Sequence, residues 1–324
     1  MRVLVTGIEG FVGRHLGAAL GAAGHSVSGT VLSADSVAGP EPIVELDVRD
    51  IAAVFRTIDE TRPDAVIHLA GKASVANSFE KPIATYEVNA GGALHVLEAC
   101  RRTGVERVLL VTSCEVYGDL DPAAGPAAED RTMAPVSPYG GSKADQDLLG
   151  EQYARTFGME VVRARSFPHT GPGQWEPYLF PSVARRIAEA EAGLGPETIT
   201  VGNVEVVRDL LDVRDVVGAY LLLMERGRPG EVYNVCGGRG RSLKESLEDL
   251  CGLARRPVRL EIDPSRTRPA DIAWMVGDPA KFRSEAGWRP RIEWKETAND
   301  VLEEARARVA AGTAKEVGSD ATTA

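Results

Sequence analysis

The chain has 324 residues, 44% hydrophobic and 26% charged, enough to bury a full α/β core with a smaller appended lobe. A formal charge of -10 excludes general binding to nucleic acid or to an anionic membrane surface, so an anionic ligand has to be held by local donors. No apolar run approaches the length of a membrane span and Met1 leads straight into a strand-like run, so a soluble cytoplasmic protein is expected.

From the N-terminus, short β-branched runs alternate with longer amphipathic ones. Strands are predicted at 2–6, 26–31, 43–46, 65–69, 107–112 and 160–165, and helices at 11–23, 51–61, 84–103 and 142–157. Apolar strands joined through helices run parallel and are covered on both faces, which predicts an α/β fold with a doubly wound Rossmann sheet. After Pro168 the pattern loosens into Gly- and Pro-rich turns, with helices at 180–192 and 216–225 and a strand at 198–201. The expected organisation is a dinucleotide-binding domain over 1–167, rejoined by 213–235, a smaller C-terminal substrate-binding lobe over 168–311, and a disordered tail over 312–324. Cys100, Cys114, Cys236 and Cys251 lie far apart without ligand spacing, so reduced thiols and no metal site are expected.

Gly7, Gly10 and Gly13, with Phe11 and Val12 between the last two, form a GxxGxxG that leaves the first strand and opens the first helix. Glycine there lets main chain approach a pyrophosphate, whose charge the helix amides meet; this context raises the motif above a plain strand-to-helix turn. Asp47, followed by Val48, stands where it accepts from an adenine amino group or else caps the next helix. The second strand ends at Val31, where an NAD site would present a carboxylate, and Arg14 follows Gly13. NADPH is therefore expected ahead of NADH, with Asp35 the acid that would reverse the order.

Tyr139 and Lys143 stand four apart at the start of a helix and leave the same face. A lysine cation beside a phenol is expected to lower the phenol pKa, so that Tyr139 exchanges a proton with an alkoxide while Lys143 also holds the nicotinamide ribose. Ser113, at the carboxyl end of a strand, is either a solvated turn residue or the hydroxyl that orients the same oxygen. The glycine loop, strand-end serine and YxxxK together select the catalytic reading. A cofactor-sensing scaffold would be expected to lose this triad.

With Ile67-His68-Leu69-Ala70-Gly71-Lys72, Ser113-Cys114-Glu115-Val116-Tyr117-Gly118, His169-Thr170-Gly171-Pro172-Gly173-Gln174 and Asp212-Val213-Arg214-Asp215, the chain resembles the extended short-chain dehydrogenase/reductases, in their sugar-nucleotide epimerase/dehydratase branch. The His-Thr-Gly-Pro-Gly-Gln run is the most reductase-like of these. The resemblance implies NAD(P)H-dependent reduction of the C4 ketone of a GDP- or dTDP-linked 4-keto-6-deoxyhexose, the latter as in antibiotic-sugar pathways. It implies that Leu69 and Ala70 line the pyrophosphate, that Asn89 supports the active-site helix, and that Lys72, His169, Gln174, Arg208 and Arg268 meet the nucleotide sugar. Arginine forks suit a diphosphate on a net-negative protein. Pro168 and Lys72 stand where relatives carry Asn and Gln, so the sugar nucleotide remains open.

Glu115 matches a dehydratase glutamate and keeps a GDP-mannose 4,6-dehydratase reading in play, as the triad does a 4-epimerase reading. Cys114, where dTDP-glucose dehydratases carry an acid, argues against that class because a thiol is the weaker acid. A homodimer paired through 84–103 and 142–157, with Leu94, Leu97, Leu148 and Leu149 as apolar positions, is also implied by the resemblance.

Overall fold

The computed structural model describes residues 1–33, 42–176, 178–263, 265 and 272–320, with 313–320 as main chain only. Arg268 and Asp35 lie outside the described residues.

β1 (Arg2–Thr6) leads through α1 (Phe11–Ala22) to β2 (Ser26–Val31) and β3 (Ile43–Glu45), and α2 (Ile51–Thr61) leads to β4 (Ala65–His68). α3 (Val75–Glu80), α4 (Pro82–Tyr86) and α5 (Gly92–Thr103) follow, the last two joined by a π-helical turn at Glu87–Gly91 within the helix expected over 84–103. β5 (Arg107–Ser113), α6 (Pro138–Phe157) and β6 (Glu160–Ser166) come next. α6 begins four residues before the expected 142, because Ser137 caps the Gly140 amide and Pro138 occupies the first turn, overriding the weak propensity of Gly140 and Gly141.

The second part contains β7 (His169–Thr170), α7 (Leu179–Glu191), β8 (Thr198–Val201), β9 (Val207–Arg208), β10 (Leu211–Asp212), α8 (Val213–Arg226) and β11 (Val232–Val235). β12 (Arg241–Ser242), α9 (Leu243–Gly252), β13 (Arg259–Ile262), β14 (Trp274–Met275), α10 (Ala280–Ala286) and α11 (Trp294–Asp320) complete it. α8 starts at Val213, three residues before the expected 216, because the Asp212 carboxylate caps the Arg214 amide. α11 takes in 312–320, expected to be disordered: once a packed helix is nucleated each further residue adds a bond, and no proline intervenes.

Seven parallel strands form one sheet in the order β11-β6-β5-β4-β1-β2-β3. Strand order reverses between β1 and β4, and the crevice beyond their carboxyl ends is where open α/β sheets bind ligands. Leu16 and Leu20 of α1 pack with Val216, Tyr220 and Leu223 of α8 on one face of the sheet, and Val54 and Ile58 of α2 with Val96 and Leu97 of α5 on the other. Each such buried side chain contributes about 1.5–3 kcal/mol relative to exposure. A separate core of Phe180, Ile187, Leu247, Leu250 and Leu302 joins α7, α9 and α11.

α6 is bolted to the sheet by charge as well as by apolar contact. Asp147, fully buried, accepts from Arg163 Nη1 at 2.9 Å, Arg165 Nε and Nη2 at 3.0 Å each, and Thr112 Oγ1 at 3.1 Å. The helix that carries Tyr139 and Lys143 is thereby tied to β5, which ends at Ser113, and to β6.

Candidate active site

A cleft of about 690 Å³ opens over the β1/β4 reversal. Gly7, Gly10, Phe11, Val12 and Gly13 line one end with Asp47 and Val48, and Leu69 and Ala70 form its floor. Ser113, Cys114, Glu115 and Tyr139 line it as well, as do Lys72, Gln174 and His169, the last stacked on Phe11.

The glycine loop is built for close main-chain approach. Gly7 holds φ +71°, and a Cβ there would lie 3.0 Å from Ala70 main chain. A Cβ on Gly13 would come within 2.7 Å of Gly7 and Ile8, so α1 can sit this near β1 only with glycine. Gly10 caps α1 without a side-chain hydrogen bond, leaving the first-turn amides for an anion. These features fit the pyrophosphate of a dinucleotide. Asp50, accepting from the Ala52 and Ala53 amides, is the cap of α2. Asp47 instead faces the cleft, and its carboxyl is held below the usual range chiefly by hydrogen bonds from Arg49.

Arg14 is exposed, donates from Nε to the Glu9 carbonyl at 2.8 Å, and does not line the cleft. Its neighbour Glu9 does, a residue the sequence reading passed over. Glu9 Oε1 accepts from the Leu32 amide at 3.1 Å, which carries a carboxylate from the glycine loop to the end of β2. An acidic side chain inside the glycine motif, where a small one would suffice, was the available signal.

At the catalytic end, Tyr139 and Ser113 both line the cleft, close enough for the serine hydroxyl to favour the tyrosinate, while Ser113 Oγ accepts from the Glu115 amide at 3.2 Å. Burial raises the phenol pKa well above its ordinary value, with the Ser113 hydroxyl acting against this and the Glu115 charge with it. The expected depression by Lys143 is not what this geometry gives. Lys143 Nζ donates to the Val111 carbonyl at 3.0 Å and Gln146 Oε1 at 2.9 Å, below the cleft rather than on the phenol. Burial brings the lysine itself down to about 8.

Asn89 sits in the π-helical turn, a distortion often found at functional sites. Its side chain accepts from the Lys72 amide at 2.8 Å and donates to Ser142 Oγ at 2.9 Å, bracing the loop after β4 against α6. Gln174 Oε1 accepts from Thr170 at 2.6 Å, and His169 stacks on Phe11 at a ring separation of 6.2 Å. Arg208 does not line the cleft, yet its charge reaches the thiol of Cys114, which does. The four cysteines are free.

The chain matches the family described as GDP-mannose 4,6 dehydratase over residues 4–301. It belongs to that family of extended short-chain dehydrogenase/reductases. Within the dehydratase-like family, the chain is 37% identical over 309 residues to GDP-6-deoxy-D-mannose reductase of Pseudomonas aeruginosa, covering 95% of this chain and 98% of the relative. The structure of RMD from Pseudomonas aeruginosa complexed with NADPH superposes with a TM-score of 0.83 at 34% identity, covering 95% and 99% of the two chains. UDP-glucose 4-epimerase of Thermus thermophilus in complex with NAD gives 0.85 at 31%, covering 94% and 99%.

Proposed function

We propose that this protein reduces the C4 ketone of a nucleotide-linked 4-keto-6-deoxyhexose with NADPH or NADH. The observation that carries the reading is the Ser113–Tyr139 pair, two hydroxyls that line one cleft with the glycine loop. The full-length likeness to a GDP-6-deoxy-D-mannose reductase supports the choice within the family.

A bound reduced nicotinamide supplies the hydride. Ser113, whose oxygen already accepts from the Glu115 amide, donates its own proton toward the carbonyl oxygen. Tyr139 transfers its phenolic proton to that oxygen as negative charge develops on it. A phenol raised by burial keeps its proton until the alkoxide forms, which suits the reductive direction. Lys143, on the same face of α6, contributes positive charge and the one N–H not given to Val111 and Gln146 toward the cofactor ribose. With cofactor deuterated at the transferable position, the product should carry deuterium at C4; its absence there overturns the reading.

The dehydratase alternative draws on Glu115, which lines the cleft. Cys114 counts against its dTDP-glucose branch: the residue is 3% exposed, packs with Phe167 and Cys236, and its thiol is raised well above its ordinary pKa by burial. Such a thiol does not serve as the acid that expels water. GDP- and dTDP-linked substrates, and with the latter a part in antibiotic-sugar formation, are separated by assay against both.

Dinucleotide affinity should fall as the pH rises through about 8, because Lys143 is charged below that value and neutral above it. Fluorescence titration across that range checks this, and Lys143→Met should abolish the step; a flat wild-type profile contradicts the assigned role.

No described helix is long and apolar enough to cross a membrane. We further read the protein as a cytoplasmic homodimer pairing through α5 and α6. Leu94 is 39% and Leu148 50% exposed, whereas Leu97 and Leu149 face the core. Leu148→Asp should halve the mass measured by light scattering; a monomeric wild type overturns the dimer.

A further inference from the structure

We propose that Glu9 makes this enzyme select NADH over NADPH, a choice that rests on the dinucleotide reading of the cleft. The pyrophosphate belongs at the open amides of α1, and the adenine end at Asp47 and Val48, beyond β3. The adenosine ribose then lies between them, across the carboxyl ends of β1 and β2. Val31 and Leu32 offer no charged group there. The Glu9 carboxylate does, fixed by its bond from the Leu32 amide.

The second oxygen of that carboxylate, Oε2, is buried without a hydrogen-bond partner among the described residues. A buried acceptor is normally satisfied. The 2'-hydroxyl of NADH supplies the missing donor. The 2'-phosphate of NADPH has no proton to offer at neutral pH and brings like charge against the carboxylate. A phosphate site would need a cation in that place. Arg49 instead closes its guanidinium on Asp47, and Arg14 directs its Nε to the Glu9 carbonyl outside the cleft.

Equilibrium titration by nucleotide fluorescence, without sugar substrate, tests the proposal. Wild type should bind NADH on the order of tenfold or more tighter than NADPH, the scale of one charge repulsion near a protein surface. Glu9→Gln keeps the acceptor for Leu32 and removes the charge. It should narrow the ratio mainly by tightening NADPH, with an unchanged melting temperature showing that the fold is retained. Equal or tighter wild-type binding of NADPH overturns the proposal, as does a ratio unmoved by Glu9→Gln or by Glu9→Ser. Failure of both dinucleotides to bind would overturn the dinucleotide reading itself, and the proposal with it.

Discussion

Tyr139→Phe should lose about 10²–10⁴-fold in turnover while keeping its fold and its affinity for the dinucleotide. The substitution removes one oxygen atom. That atom is the acid of the reduction, and its removal leaves Ser113 alone to meet the developing negative charge. The ring stays, so the packing of the first turn of α6 changes little, and Ser137 still caps the helix. The split expected is therefore in kcat, with dinucleotide Kd and Tm near wild type. Turnover within threefold of wild type would remove Tyr139 from the chemistry.

The second large effect is on stability. Asp147→Ala should cost about 3–5 kcal/mol, because it leaves Arg163 and Arg165 buried without their shared counter-ion. For a chain of this length that is a fall in Tm of roughly 4–7 °C, taking the protein to melt as one unit. Arg165 keeps Tyr117 Oη and the Glu129 carbonyl, and Arg163 keeps Glu151 and the Gly230 carbonyl. These retained bonds satisfy donors without matching both charges. Glu151→Ala serves as the contrast: its side chain is 38% exposed, and a pair screened by solvent is worth about 1 kcal/mol or less. Calorimetry that finds the two variants alike would contradict the role given to the buried cluster. Because α6 also carries Tyr139, Asp147→Ala should lower activity before it unfolds the protein.

The sheet was largely legible in the sequence because its strands are short apolar runs separated by amphipathic helices, patterns that local periodicity captures. Gly7, Gly10 and Gly13 were legible for a related reason: their meaning lies in their position between β1 and α1. The two-residue strands β7, β9, β10, β12 and β14 were not, since each exists through pairing or packing across distant stretches. The π-helical turn at Asn89 was hidden in the same way, its side chain fixed by Lys72 and Ser142.

The site divides along the same line. Ser113, Tyr139 and the glycine loop converge because they stand at strand ends and at one helix start. Lys143 was placed on the right face but assigned the wrong effect on the phenol, since a one-dimensional reading does not show that Val111 and Gln146 hold its ammonium. Asp147 carries no signal of its own in the sequence, where it is one charge among several on an amphipathic helix. Its burial depends on two arginines from the next strand, a matter of packing rather than period. Glu9 was missed because the acid for the end of β2 comes from a different loop.

The most direct test of the central claim is the loss of reduced-nicotinamide absorbance when purified protein meets NADH or NADPH with GDP-4-keto-6-deoxymannose or a dTDP-4-keto-6-deoxyhexose. The account predicts oxidation of one equivalent of cofactor per equivalent of one of these ketosugars. Conversion of GDP-mannose without net cofactor consumption, and no oxidation with either ketosugar, would contradict it.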